Sequence, residues 1–119
     1  VSDELLSSMN QSSSAIPSDE SEFELCGLAM SDSQFVSPPR VARSPAALEC
    51  RVVEIKQLAD IEGQLSRSWL TIGQVIGVYI DSEFITADGR FNSKKAQTPS
   101  RCGYMDYMTA GSFFELERP

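Results

Sequence analysis

Residues 38–55 read PPRVARSPAALECRVVEI and pass, within a few positions, from a proline-rich loop into a strand. The prolines remove backbone donors and hold the residues before them in extended conformations, so a continuous helix is excluded here. Beyond Ala47 the apolar residues alternate with charged ones and then change phase, which predicts a half-buried strand with a bulge or bend near Val52. The alternating residues are Leu48, Cys50 and Val52 against Glu49 and Arg51, followed by Val53 and Ile55 on the other face.

A second long strand is predicted over residues 69–81, WLTIGQVIGVYID. Its apolar residues occur at both odd and even positions, which indicates that both faces of the strand are partly covered. A polar stretch around Asp60 and Gly63 joins the two strands, which favours an antiparallel hairpin with a flexible tip. Gly73 and Gly77 lie inside the second strand and permit either a bend, the favoured interpretation, or the close approach of another backbone.

Short helices are predicted before the hairpin. Ser2 begins one of them, with acidic residues in its first turn, where the helix dipole favours negative charge. Ser18 begins a second, which buries Phe23 and Cys26 and ends at Gly27 in a left-handed stop. These segments are interpreted as anchors without chemistry.

After the hairpin, the Asp-Gly pair in ADGR, residues 87–90, predicts a turn, and FFELERP, residues 113–119, predicts a short last strand that Pro119 ends. The chain is therefore expected to be mainly β, with long bent strands typical of a small barrel. Two long and about three short strands are too few to close a barrel. This shortfall, with Val1 as the first residue, leads us to expect a piece of a longer chain or a partner chain.

The composition excludes several classes of function. At 119 residues, 41% of them hydrophobic, the chain can form one core. A net charge of -7 and a pI near 4.5 argue against a nucleic-acid partner, which needs clustered basic residues. No apolar run approaches the length of a membrane span, so no membrane is expected.

Histidine is absent, which removes the usual zinc ligands, the catalytic triads and the commonest general base. The cysteines Cys26, Cys50 and Cys102 are odd in number and widely spaced, so we predict no disulfide framework, no metal site and a reducing, cytoplasmic setting. Cys50 and Cys102 are interpreted as buried small hydrophobic residues. Any chemistry must come from carboxylates or from a cofactor.

Several segments, in this order and spacing, resemble the C-terminal part of the flavin reductase-like family, whose domain is an FMN-binding split barrel. They are FELCGLAMSDSQFVSPPRVARSPAALECRVVEI, LTIGQVIGVYID, DGR, SRCGYMDY and a terminal ERP. The resemblance implies a partial split β-barrel, antiparallel and Greek-key, with short helices near the N-terminus. Residues 1–119 would be one partial domain, with residues 1–45 as a helix-and-loop lead-in and residues 46–119 as barrel strands and a flavin-proximal loop. The family's N-terminal part has no counterpart here.

The resemblance also places cofactor-binding residues in SRCGYMDY, residues 100–107. Gly103 would let the backbone approach a planar ring, Tyr104 and Tyr107 would stack on it or donate a hydrogen bond, and Arg101 would meet a phosphate or the flavin edge. Without the resemblance, an ordinary turn with two packing aromatics is the favoured interpretation. No catalytic residue and no metal ligand is assigned.

Two further comparisons with the family concern residues outside this set. Tyr79 stands where many relatives carry histidine. Arg40 and Arg43 lie near the expected barrel mouth, where they could contact a nicotinamide nucleotide, but exposed loop arginines are usually solvated, so both are left outside the site.

The function that the resemblance implies is hydride transfer from NADH or NADPH to FMN in a homodimer, with the flavin near the subunit interface. Such an enzyme needs no histidine, because the flavin carries the chemistry. Two alternatives remain open. One is a truncated, non-catalytic remnant that pairs with another chain, and the other is an interaction module that adds a peptide strand to an open edge.

Overall fold

The computed structural model describes residues 1–114 and 116. The described part is mainly β, as predicted, with short helices. The strands are β1 Met30–Ser31, β2 Arg40–Val41, β3 Ala46–Ala59, β4 Leu65–Ile80, β5 Ser100–Gly103 and β6 Asp106–Met108, and the helices are α1 Leu6–Gln11, α2 Glu22–Leu25 and α3 Ser93–Ala96, with 3₁₀ turns at Asp3–Leu5 and Ser82–Phe84. Each sheet pairs two consecutive strands, β1 with β2, β3 with β4 and β5 with β6. A Greek-key crossover is therefore not among the described elements.

The β3–β4 hairpin dominates the molecule. Its antiparallel register runs from the pair Ala46 and Ile80 to the pair Ala59 and Leu65. The register shifts at three points, one of them between Val52 and Glu54. The predicted bulge near Val52 is confirmed, and it explains why the apolar pattern changes phase there.

The tip of this hairpin forms as its polar sequence predicts. The Asp60 carboxylate accepts hydrogen bonds from the backbone N–H groups of Glu62 at 3.0 Å and Gln64 at 2.9 Å. Gly63 has a φ of +84°, which a side chain with a Cβ would adopt only under strain. The carboxylate and the glycine together close the turn.

Burial of the hairpin differs from the prediction. The first strand was predicted to be half-buried and the second to have both faces partly covered, but Leu48, Val53 and Trp69 are 64%, 65% and 59% exposed, and many of their apolar neighbours are similarly open. Cys50 and Cys102 are also exposed, so their interpretation as buried residues is wrong. Covering contacts on the hairpin come from the segment 34–40, near its Ala46–Ile80 end. Alternation alone marks faces suited to burial without showing what covers them.

The helical lead-in forms with two corrections. Helix α1 follows Ser2 through the 3₁₀ turn, but the Ser2 side chain makes no capping bond. The second helix begins at Glu22 and not after Ser18, because the Glu20 N–H bonds the Pro17 carbonyl at 3.1 Å in a separate turn. It ends before Gly27, whose φ of +61° confirms the predicted left-handed stop.

The strand predicted over residues 113–119 does not form in the described part of that segment. Residues 113, 114 and 116 belong to no strand, since none of the described strands pairs with them, and the remainder of the segment, from residue 117 to Pro119 together with residue 115, lies outside the described residues. The turn at residues 87–90 is confirmed, with the Gly89 N–H bonded to the Thr86 carbonyl at 2.9 Å. Within residues 1–114 and 116, no helix is long and apolar enough to cross a membrane.

Candidate functional site

A groove of about 800 Å³ lies between the N-terminal helix and the β5–β6 hairpin. We call it the helix–hairpin groove. One wall carries Leu6, Met9 and Asn10 of α1, and the other carries Arg101, Tyr104 and Tyr107. The backbone N–H of Asp3 donates to the Gln97 carbonyl at 3.2 Å, which ties the start of the helix to the segment leading into β5.

The turn of the β5–β6 hairpin contains two consecutive residues with positive φ angles. Gly103 has a φ of +114°, and Tyr104, which follows it, has a φ of +47°. A positive φ is uncommon for an aromatic residue and costs roughly 1–2 kcal/mol. The Tyr104 side chain is 95% exposed, so packing does not compensate this strain.

Arg101 bridges the turn. Its Nη2 atom donates to the Tyr104 carbonyl oxygen at 3.0 Å, and its guanidinium carbon lies 5.9 Å from the centre of the Tyr107 ring. The first contact is a charge-assisted hydrogen bond, and the second lies within the range of a cation–π interaction. One arginine therefore contacts both tyrosines of the hairpin.

The structure brings three of the four predicted site residues to the groove. Arg101, Tyr104 and Tyr107 line it, whereas Gly103 does not. A Cβ built on Gly103 would meet nothing within 4 Å, so no close approach of the described chain explains this glycine. Its positive φ does, because the turn needs a residue that tolerates that backbone conformation.

The sequence did not lead us to predict the polar residues on the α1 side of the groove. Ser7, Asn10 and Ser13 all line the groove, and they recur every third residue. Residues three apart share one face of a helix, so this spacing was a usable signal. Asp3 also lines the groove, and the site therefore contains a carboxylate as well as a guanidinium.

A second cluster involves the arginines left outside the predicted site. The Arg40 guanidinium carbon lies 3.5 Å from the centre of the Tyr79 ring, so the arginine stacks on this aromatic ring. Arg43 pairs with Glu4 at 2.8 Å on an exposed surface. Both arginines thus have partners within the chain.

Beside this stack lies Glu49, which is only 6% exposed. Its carboxylate accepts the backbone N–H groups of Gln34 at 2.9 Å and Phe35 at 2.5 Å. These two bonds, from Gln34 first and Phe35 second, lower the pKa of Glu49 below its usual value, and the charge of Arg40 acts in the same direction. The cluster fixes the segment 34–40 on the hairpin and offers no unsatisfied carboxylate for chemistry.

The residues of the helix–hairpin groove fit part of a flavin. An exposed tyrosine face suits a planar ring, and a guanidinium suits a phosphate or an electron-rich ring edge. Serine and asparagine side chains on α1 and the turn after it supply donors and acceptors for the polar atoms of such a ligand. Among the described residues, no group of three or more cysteine, aspartate or glutamate side chains is placed to hold a metal ion.

Comparisons with known proteins agree with the resemblance seen in the sequence. The model of the flavin reductase like domain matches residues 2–98. Protein BH2278 of Halalkalibacterium halodurans, whose own role is uncharacterized, is 31% identical over 119 residues, which is 100% of this chain and 56% of that protein. An uncharacterized protein of Deinococcus radiodurans is 30% identical over 107 residues, covering 85% of this chain and 47% of that protein.

Solved structures give the same fold. Nitrilotriacetate monooxygenase component B from Bacillus cereus superposes with a TM-score of 0.85 and 25% identity, over 97% of this chain and 56% of that one. A Shewanella frigidimarina protein described as a flavin reductase with split barrel domain gives a TM-score of 0.81 and 24% identity. The superposition covers 100% of this chain and 58% of that one.

Two features of these matches bear on the site. The chain spans about half the length of the curated relatives that it matches. Residues 101–107 lie beyond the matched part of the family model. The match nevertheless covers most of the chain, including the β3–β4 hairpin and α1, and the chain belongs to the flavin reductase-like domain family.

Proposed function

We propose that this chain is part of a flavin-dependent oxidoreductase that transfers a hydride from NADH or NADPH to FMN. The observation that carries the proposal is that Arg101, Tyr104 and Tyr107 converge on one groove in a member of this family. In this proposal the helix–hairpin groove supplies part of the flavin site. The flavin, when bound, supplies the ability to accept and pass on a hydride.

The chain's own residues bind and orient the ligand. Tyr104 presents a free aromatic face, Arg101 donates to the Tyr104 carbonyl, and Asn10 offers both a donor and an acceptor from α1. None of these groups has to exchange a proton. Because the protein only positions the cofactor, which carries the chemistry, the absence of histidine is compatible with this function.

Basic residues are unevenly distributed along the chain. Residues 1–39 contain no lysine or arginine, whereas residues 89–105 contain four basic residues and no acidic one. The basic residues are Arg90, Lys94, Lys95 and Arg101. Arg90 pairs with Asp88 at 3.0 Å and Lys95 with Glu83 at 3.4 Å, so of these four residues Arg101 alone brings its charge to the helix–hairpin groove.

The test is a titration of the purified chain with FMN, followed by gel filtration and an absorbance spectrum from about 300 to 550 nm, where flavins absorb. Retained flavin bands, and NADH-dependent bleaching of those bands under nitrogen, are expected. Tyr107→Ala should weaken retention, whereas Tyr79→Phe, which keeps the ring under Arg40, should not. A colourless protein peak at saturating FMN would refute a flavin site in this chain.

We also propose a homodimer. Apolar side chains are exposed on both faces of the β3–β4 hairpin, and contiguous patches of this kind usually mark a contact surface. A second copy of the chain would bury them.

The same exposed faces favour a second candidate function, a non-catalytic module that pairs with a different chain. The two candidates differ in the gel-filtration experiment. The oxidoreductase carries flavin, and the module remains colourless whatever its partner.

A further inference from the structure

We propose that Arg101 is a positioning residue for Tyr104, not a phosphate ligand, and that the groove therefore recognises the flavin ring whether or not it carries a phosphate. This inference rests on the proposed function and deepens it. It assigns Arg101 a role different from the phosphate contact that its charge first suggests.

Tyr104 has an unusual backbone conformation. Its φ of +47° is one that a bulky residue rarely adopts, and its side chain is 95% exposed. An exposed ring receives little support from packing. The turn must therefore be held by the backbone and by whatever bonds cross it.

The bond that crosses it comes from Arg101. Nη2 of its guanidinium reaches the Tyr104 carbonyl at 3.0 Å, which fixes the peptide following the strained residue. The planar fork of a guanidinium holds this orientation better than a flexible ammonium can. Arg101 also lies 5.9 Å from the ring centre of Tyr107, so a single side chain sets the spacing of the two aromatic residues that line the groove.

The two possible roles of Arg101 differ in their effect on ligand binding. If Arg101 bound the phosphate, its loss would weaken FMN and leave riboflavin, which has the same ring without phosphate, unaffected. If Arg101 positions Tyr104, its loss weakens both ligands by the same factor, because both present the same ring to the same tyrosine.

The experiment measures dissociation constants of FMN and riboflavin by flavin fluorescence quenching, on the whole chain. We expect Arg101→Gln to weaken both ligands by roughly tenfold, the effect of one lost charge-assisted hydrogen bond. Arg101→Lys should not restore binding. In a Tyr104→Ala background, Arg101→Gln should have little further effect, since the positioned group is gone. Arg67→Gln, an exposed arginine of β4 outside the groove, is the matched control.

A loss of FMN affinity with riboflavin unchanged would overturn the inference. Failure of the unaltered chain to bind either flavin would instead count against the proposed function, and the positioning role is then decided by NMR. The backbone chemical shifts of Gly103 and Tyr104 should move in Arg101→Gln and stay fixed in Arg67→Gln. Unchanged shifts in Arg101→Gln would overturn the role independently of any ligand.

Discussion

The ring of Phe35 lies directly on Gly77. A Cβ added to Gly77 would come within 2.4 Å of the Cδ2 atom of that ring, closer than any real side chain tolerates. Residue 77 pairs with Glu49 across the hairpin, and Glu49 accepts the N–H of Phe35. The loop before β2 is thus fixed to the hairpin by one carboxylate and one aromatic contact on neighbouring positions.

This contact predicts the effect of Gly77→Ala. The added methyl group forces the Phe35 ring off the strand, and we expect a loss of about 1–3 kcal/mol in the free energy of unfolding, measured by urea denaturation. In a Phe35→Ala background the same change should cost nothing or stabilise slightly, because alanine suits a strand better than glycine does. Gly111→Ala, where the added Cβ meets nothing within 4 Å, is the control. Equal urea midpoints for Gly77→Ala and the unaltered chain would contradict the contact.

Glu49 predicts a dependence of stability on pH. Hydrogen bonds from Gln34 and Phe35 lower its pKa in the folded chain relative to the ordinary value of 4.5. The stabilisation is therefore fully present above 4.5 and is lost as the pH falls through the lower, folded-state pKa. We expect Glu49→Gln to lower the urea midpoint at neutral pH, and the difference from the unaltered chain to shrink on acidification.

Glu54→Gln on the same strand, where the carboxylate is exposed, serves as the control for this pH series. A difference between Glu49→Gln and the unaltered chain that stays constant from neutral pH down to pH 2 would show that the carboxylate charge is not what holds the loop.

The stack of Arg40 on Tyr79 predicts an energetic coupling between the two residues. At 3.5 Å from guanidinium carbon to ring centre, a partly buried cation–π contact contributes about 1 kcal/mol. A double-mutant cycle with Arg40→Gln and Tyr79→Leu, read by urea denaturation, should return a coupling free energy of about that size. Arg43→Gln with Tyr79→Leu should be additive. Additivity in the Arg40 cycle would mean that the contact contributes nothing.

Trp69 reports on the proposed homodimer. It is the single tryptophan of the chain and is 59% exposed on β4. Burial of this face by a second copy should shift its fluorescence to shorter wavelength as the protein concentration rises, in step with the mass found by sedimentation velocity. An emission maximum that stays at long wavelength in a sample of dimer mass would place the interface on another surface.

Residue types within a few positions of a feature predicted the turns, bulges and helix ends that depend only on near neighbours. The phase change at Val52, the tip around Gly63 and the stop at Gly27 each follow from the residue types within a few positions, and each is confirmed. The helix start assigned to Ser18 was wrong, because the turn at Pro17 competes for the same segment. Sequence alone could not rank these two local structures.

The candidate site depends on contacts between residues that are far apart in the sequence. The resemblance placed Arg101, Tyr104 and Tyr107 together in one loop, but no local pattern showed that α1, some 90 residues earlier, forms the opposite wall. A bend was the favoured interpretation of Gly77, and the hairpin register does shift beside it, between Glu49 and Cys50, but the close neighbour of this glycine was not predicted. The neighbour is the ring of Phe35 and not another backbone, and it reaches the strand through a loop fixed by Glu49.

The sequence by itself determined the family, the mainly β character, the hairpin and its irregularities, because backbone preference and alternation act between near neighbours. Only the tertiary structure decided that Arg101 bonds the carbonyl of Tyr104, that Tyr79 lies under Arg40, and that the apolar faces of the hairpin remain open within the described chain. Those facts depend on which distant segments meet, and this is set by packing and by hydrogen bonds between residues far apart in sequence.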